Sequence, residues 1–191
     1  MAANIITSIN WVDLVSVVIL ARIFYIALET GLKEEGFKFL GTIAGLYLSQ
    51  HYYIIFGRSI SSRFPAVNEA MPLAFLCFFS YIFLAFLGYA IFIFLRLIFK
   101  MFVKAQIAEN INRWVGLVLG AVRAFLLVSM ILFGMAISTT TYFKDSVFSS
   151  FMGSALVRVA PVTYRMLWTV TSKFMLGEKF NEHTVLIPEK S

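Results

Sequence analysis

Residues 73–99 read LAFLCFFSYIFLAFLGYAIFIFLRLIF, and no charged residue falls between Ala70 and Leu95. A bilayer core about 30 Å thick needs about 20 helical residues to cross it, so this stretch predicts a transmembrane helix. The composition agrees. Of 191 residues, 60% are apolar, only 14% are charged and 21 are Phe, whereas an ordinary soluble domain carries roughly 25% charged residues. One core of this size leaves much of the chain at the surface, so that surface must meet lipid. A typical soluble enzyme and a disordered regulator are both excluded. The reading is an all-α integral membrane protein.

Outward from this stretch, three more segments have the length of a span. They are Trp11–Leu28, Phe37–Phe56 and Trp114–Ile137, so that spans 11–28, 37–56, 73–99 and 114–137 form a four-span domain over residues 1–137. The first twelve residues have no Lys or Arg, which predicts a retained span rather than a cleaved signal. Gly31 and Gly36 suit the turn between spans one and two, and Pro65 and Pro72 break the chain before span three. Lys100–Arg113 has room for a short amphipathic helix.

The net charge of +6 lies wholly in residues 96–191. Beside long apolar runs, such asymmetry reports topology rather than nucleic acid. Lys33, Lys38, Arg96, Lys100, Lys104 and Arg113 flank the first and third connectors, against Arg58, Arg63 and Lys144 on the other side. The positive-inside rule then predicts connectors one and three in the cytoplasm and both termini outside.

Residues 138–176 form an amphipathic segment. Over Ser146–Met175, Phe148, Phe151, Met152, Ala155, Val159, Val162, Met166 and Val170 recur at helical spacing, while Arg158, Arg165 and Thr169 take the other side. The spacing predicts a long helix, bent or divided near Pro161. It either lies in the lipid interface through Arg158, Arg165 and Trp168 or packs on the spans. Residues 177–191 read as a flexible tail.

Ionisable side chains at membrane depth need a reason. Arg22 and Arg123 fall at about the same depth of spans one and four. They suggest a polar site or anion path, or else a structural role in which they bind carbonyls, lipid phosphate or Glu29. Asp13, after Asn10, either favours the start of its own helix or has a proton-handling role. Gly41, Gly45 and Ser49 in span two, and Gly116, Gly120 and Ala124 in span four, each make a stripe of small residues. The expected contact is between those two spans or between protomers.

No nucleophile–base set, P-loop, dinucleotide fingerprint or zinc motif occurs in the sequence. Cys77 is the single cysteine, and His51 and His183 form no ligand motif. The reading is therefore not an enzyme, with no cofactor, no metal and no nucleic acid.

Three motifs in order carry a resemblance. They are Asn10-Trp11-Val12-Asp13-Leu14, the Gly31…Gly36 turn, and Asn112-Arg113-Trp114-Val115-Gly116 running on through Gly120 to Arg123. With Ser146 and Pro161 in the segment after the spans, the chain resembles the colicin V production protein (CvpA) family of bacterial inner-membrane proteins. Ala124 departs from the family's pattern, where a further Gly often stands. The resemblance implies four spans, a periplasmic amphipathic segment, and a role in peptide toxin production or export and in envelope homeostasis. The expected function is a non-enzymatic accessory protein, with a small transporter or channel component as the alternative. Expected partners are the bilayer, anionic lipid in particular, and a second copy or an envelope or secretion protein.

Overall fold

A computed structural model describes residues 10–64, 71–102, 109–172 and 179–184. Four long helices come first: α1 Trp11–Glu29, α2 Leu32–Arg63, α3 Leu73–Phe102 and α4 Glu109–Ala136. Three short ones follow: α5 Thr141–Ser149, α6 Phe151–Leu156 and α7 Val159–Thr171, then a single 3-10 turn at Glu182–Thr184. No strand occurs among the described residues. The amphipathic helix expected in Lys100–Arg113 falls largely on residues 103–108, outside the described residues.

Three helices are long and apolar enough to cross a membrane: α1, Leu73–Ile98 of α3 and Asn112–Ala136 of α4. The expected second span is different. Phe37–Phe56 is the middle of α2, which runs 32 residues, about 48 Å at 1.5 Å per residue. It is long enough to span but too polar to qualify by composition. Its polar groups turn inward: Glu35, Thr42, Ser49, Gln50 and His51 are all buried. The packing order explains this. α2 lies along α3 on one side and α4 on the other, and α4 in turn packs on α1, while α3 and α4 barely meet.

The small-residue stripes do not face each other. A Cβ on Gly45 would lie 2.6 Å from the Ala85 carbonyl oxygen, and one on Gly88 2.5 Å from the Gly45 Cα. The span-two stripe is therefore the seat of α3. A Cβ on Gly116 would come within 3.0 Å of Leu32 N and Thr30 O, and one on Gly120 would collide with the Ala27 Cβ. The span-four stripe is the seat of α1 and its turn. Each stripe admits a backbone, as close helix packing requires, but the partners differ from the expected pair. Ala124 is fully buried in the core with Val128, Leu132 and Phe133.

The long helix expected over Ser146–Met175 is instead three pieces. Ser150 breaks it in an extended conformation (φ −83°, ψ 143°), and its Oγ accepts the Gly153 N–H at 2.8 Å. Pro161 is the third residue of α7; it cannot donate to the carbonyl of Val157, and the turn at Val157–Arg158 that separates α6 from α7 lies there. The preceding Ala160 N–H goes to Ser129 Oγ of α4 at 2.6 Å. α7 buries Ala160, Pro161 and Tyr164 and leaves Val162, Met166 and Val170 exposed. It also crosses the bundle rather than following it. Counting from the α1–α2 turn at 1.5 Å per residue, its partners Ser129, Tyr47 and His51 lie at about 20, 22 and 28 Å. Part of the tail expected to be loose is docked: Phe180 stacks on Tyr164 with centroids 5.4 Å apart, and Thr184 is buried.

Candidate functional site

The chain turns between α1 and α2 at Gly31, which offers α2 no capping side chain. The cap comes from α4, 80 residues away: Asn112 Oδ1 accepts the Leu32 N–H at 2.8 Å. Asn112 lies so close that a Cβ on Gly31 would stand 2.7 Å from its Cγ. Glu34 and Glu35 follow in the first turn, where the helix dipole favours acids.

Glu35 is fully buried. Its Oε1 accepts Lys38 Nζ at 2.6 Å and the Thr30 hydroxyl at 2.5 Å. Its Oε2 faces Arg123 Nη2 at 2.8 Å. Arg123 is itself buried, and Lys38 has 15% of its side chain exposed. Gly120 sits under the carboxylate, where a Cβ would come within 3.3 Å of Oε2. A polar cavity of about 320 Å³, lined by Glu29, Thr30, Gly31, Lys33, Glu34 and Asn112, opens beside the cluster. One carboxylate thus binds three separate pieces of chain: the α1 end, the α2 start and mid-α4. In a low-dielectric setting such a pair holds firmly while both partners remain, and losing one strands a buried charge.

A second junction lies at the other end of α1. Asn10 caps its own helix by accepting the Val12 N–H at 3.2 Å, and its amide donates to Ser146 O at 2.6 Å and Ser149 Oγ at 2.9 Å. Trp11 Nε1 donates to Ser146 Oγ at 3.2 Å. Asp13 Oδ1 accepts Ser150 Oγ at 2.8 Å and Met152 N at 2.7 Å. Asp13 lies in the first turn of its own helix, as expected, and also holds the start of α6.

A third cluster anchors α7. His51 Nδ1 and the Tyr164 hydroxyl are 2.7 Å apart. The imidazole is stacked by Trp168 at 5.1 Å and by Tyr47 at 5.6 Å. Asn181 Nδ2 donates to Gln50 O at 2.8 Å.

The expected site residues are thus dispersed. Arg123 joins Glu35, while Arg22 and Glu29 lie on the exposed face of α1. Of the two arginines expected at one depth, Arg22 is exposed on α1, while Arg123 is buried against Glu35. Arg158 and Arg165 are exposed, whereas Trp168 is half-buried on His51 rather than turned to the interface. Sequence reasoning missed Glu35, Lys38, Thr30, His51 and Tyr164. For Glu35 a signal was present: two acids after Gly31 mark a helix start at Leu32, five residues earlier than expected.

The model of the family described as colicin V production protein matches residues 12–161. The chain belongs to the colicin V production protein family. Comparison with curated proteins and with solved structures found no match. Several residues of the motifs that carried the resemblance sit in two of the junctions above. Asn10, Trp11 and Asp13 meet Ser146 and Ser150, and Gly31, Asn112, Gly116, Gly120 and Arg123 meet at the first turn.

Proposed function

We propose that this colicin V production family protein is a non-enzymatic accessory protein of the bacterial inner membrane, supporting peptide toxin production or export and envelope integrity. The observation that carries this reading is where the motif side chains go. Asp13, Asn112, Glu35 and Arg123 contact other parts of the same chain, as expected of a scaffold holding a fixed surface toward partners. α2 acts as the fourth span, because its buried polar groups are shielded from lipid by α3 and α4. The α1–α2 turn lies on the cytoplasmic side and both termini in the periplasm, following the Lys/Arg distribution. α7 then lies across the outer half of the bilayer with Arg158 and Arg165 toward anionic headgroups. A second copy or an envelope or secretion protein is the expected protein partner.

The test uses cells lacking the native gene and supplied with the wild type or with Asp13→Ala. Secreted toxin activity and survival in detergent are scored at matched protein levels. Both should fall with the gene deleted and recover only with the wild type. Full toxin output and detergent resistance in the deletion strain would remove the accessory role.

The alternative, a small transporter or channel component, draws on the polar cavity beside the Glu35 cluster. Purified protein in liposomes decides between them. Solute or ion flux that stops on Glu35→Gln would favour transport, and its absence the accessory role.

A further inference from the structure

The bundle is open between α3 and α4. The two helices barely meet, and α2 forms the floor of an apolar groove of about 520 Å³ between them. Gly41 and Gly45 lie in the floor, Phe86 and Tyr89 in the α3 wall, and Ile131 and Gly134 in the α4 wall. Phe86 and Ile131 are 71% and 45% exposed, so the groove opens sideways.

Size restricts the occupant. The α3 wall runs from Phe78 to Tyr89, about 17 Å at 1.5 Å per residue. One turn of a helix 10 Å across fills on the order of 420 Å³. A helix laid along the groove would need about three times that, so most of it would stand outside the groove, whereas a hydrocarbon chain can lie within it. A single hydrocarbon chain is the thinner apolar body that a bilayer supplies.

Charge selects the headgroup. Phe78, Ile82, Ala85, Tyr89, Phe92 and Arg96 follow one another at helical spacing, so Arg96 continues the α3 stripe about 10 Å beyond Tyr89. Arg96 Nη1 reaches Glu34 Oε2 only at 3.7 Å, and its buried Nε has no hydrogen-bond partner. Lys38 precedes Gly41 by three residues on α2, and Arg123 precedes Leu127 by four on α4. Among the described residues on these stripes, three cations, Arg96, Lys38 and Arg123, stand with two carboxylates, Glu34 and Glu35, at this end of the groove. We infer that the groove binds an acyl chain of an anionic phospholipid whose phosphate sits at Arg96.

Native mass spectrometry of the full chain in mild detergent tests this, with phosphatidylglycerol and phosphatidylcholine of identical chains as probes. The wild type should hold one phosphatidylglycerol about fivefold more tightly than phosphatidylcholine, the scale of one interfacial cation. Arg96→Gln should bring the two lipids level, while Arg96→Lys should keep the preference. Gly134→Leu, whose Cβ would stand 3.3 Å from the Tyr81 ring, and Ile131→Trp should displace both lipids. Equal binding of the two lipids by the wild type would overturn the inference. So would phosphatidylglycerol occupancy unmoved by both groove variants, or a dimer that Ile131→Trp dissociates, which would make the occupant a second copy.

Discussion

Arg123 needs a counter-charge at its depth, and Glu35 supplies it. Glu29 is exposed, Glu34 faces Arg96, and Asp13 holds the start of α6 at the other end of α1. Thr30 and Lys38 complete the coordination of Glu35, so the cluster acts as one unit. Glu35→Gln should cost about 3–5 kcal/mol, because the Arg123 charge stays buried without its partner. Replacing both, Glu35→Gln with Arg123→Gln, should cost less than the sum of the single changes, since no stranded charge remains. Thermal unfolding of the three variants in detergent measures this, and strictly additive losses would show that the pair is not coupled. The same method applies to Gly120. A leucine there must displace Ala27 and the Glu35 carboxylate, and about 1–3 kcal/mol should be lost. Ile131→Ala, on an exposed position, serves as the comparison.

At the scale of elements, the segment after α4 is held by side chains rather than by its own propensity. α5 and α6 are nine and six residues long, too short to persist alone in water. Asp13 supplies what they lack by accepting the Ser150 hydroxyl and the Met152 N–H. Asp13→Ala should therefore speed hydrogen exchange over Ser146–Leu156 and leave α3 unchanged. Unaltered exchange there would show that the apolar contacts suffice. α7 presents a different balance. Its inner face is fixed by Ala160 and Tyr164, and its outer face mixes Val162, Met166 and Val170 with two arginines. In nanodiscs of anionic lipid, exchange over Val159–Thr171 should be slower than in neutral lipid. Changing Arg158 and Arg165 together to Glu should remove the difference, and salt should weaken it by screening. Identical exchange in both lipids would leave α7 held by the bundle alone.

For the whole molecule, orientation is the testable quantity. With Cys77→Ser as background, single cysteines at Ser61, Ala108 and Ser191 are exposed to an impermeant thiol reagent in spheroplasts. Labelling at Ser61 and Ser191 but not at Ala108 is the expected pattern, and labelling at Ala108 alone would invert the protein. The class of the molecule was legible because its physical cause is local: burying apolar side chains in lipid depends on length and composition along the chain. Residues 73–99, 11–28 and 114–137 announce themselves in this way, and the ordered motifs placed the chain in its family. α2 was read as a span with a polar edge, because nothing local shows that Gln50 and His51 turn inward. The partner of each glycine stripe, the Glu35–Arg123 pair and the clasp of Asp13 on α6 were settled only in three dimensions. Those contacts join residues 40 to 139 apart, and each depends on how a helix is rotated about its axis. A span in lipid is apolar on every side, so the pattern along it does not determine that rotation. Close packing at Gly45 and Gly120 does.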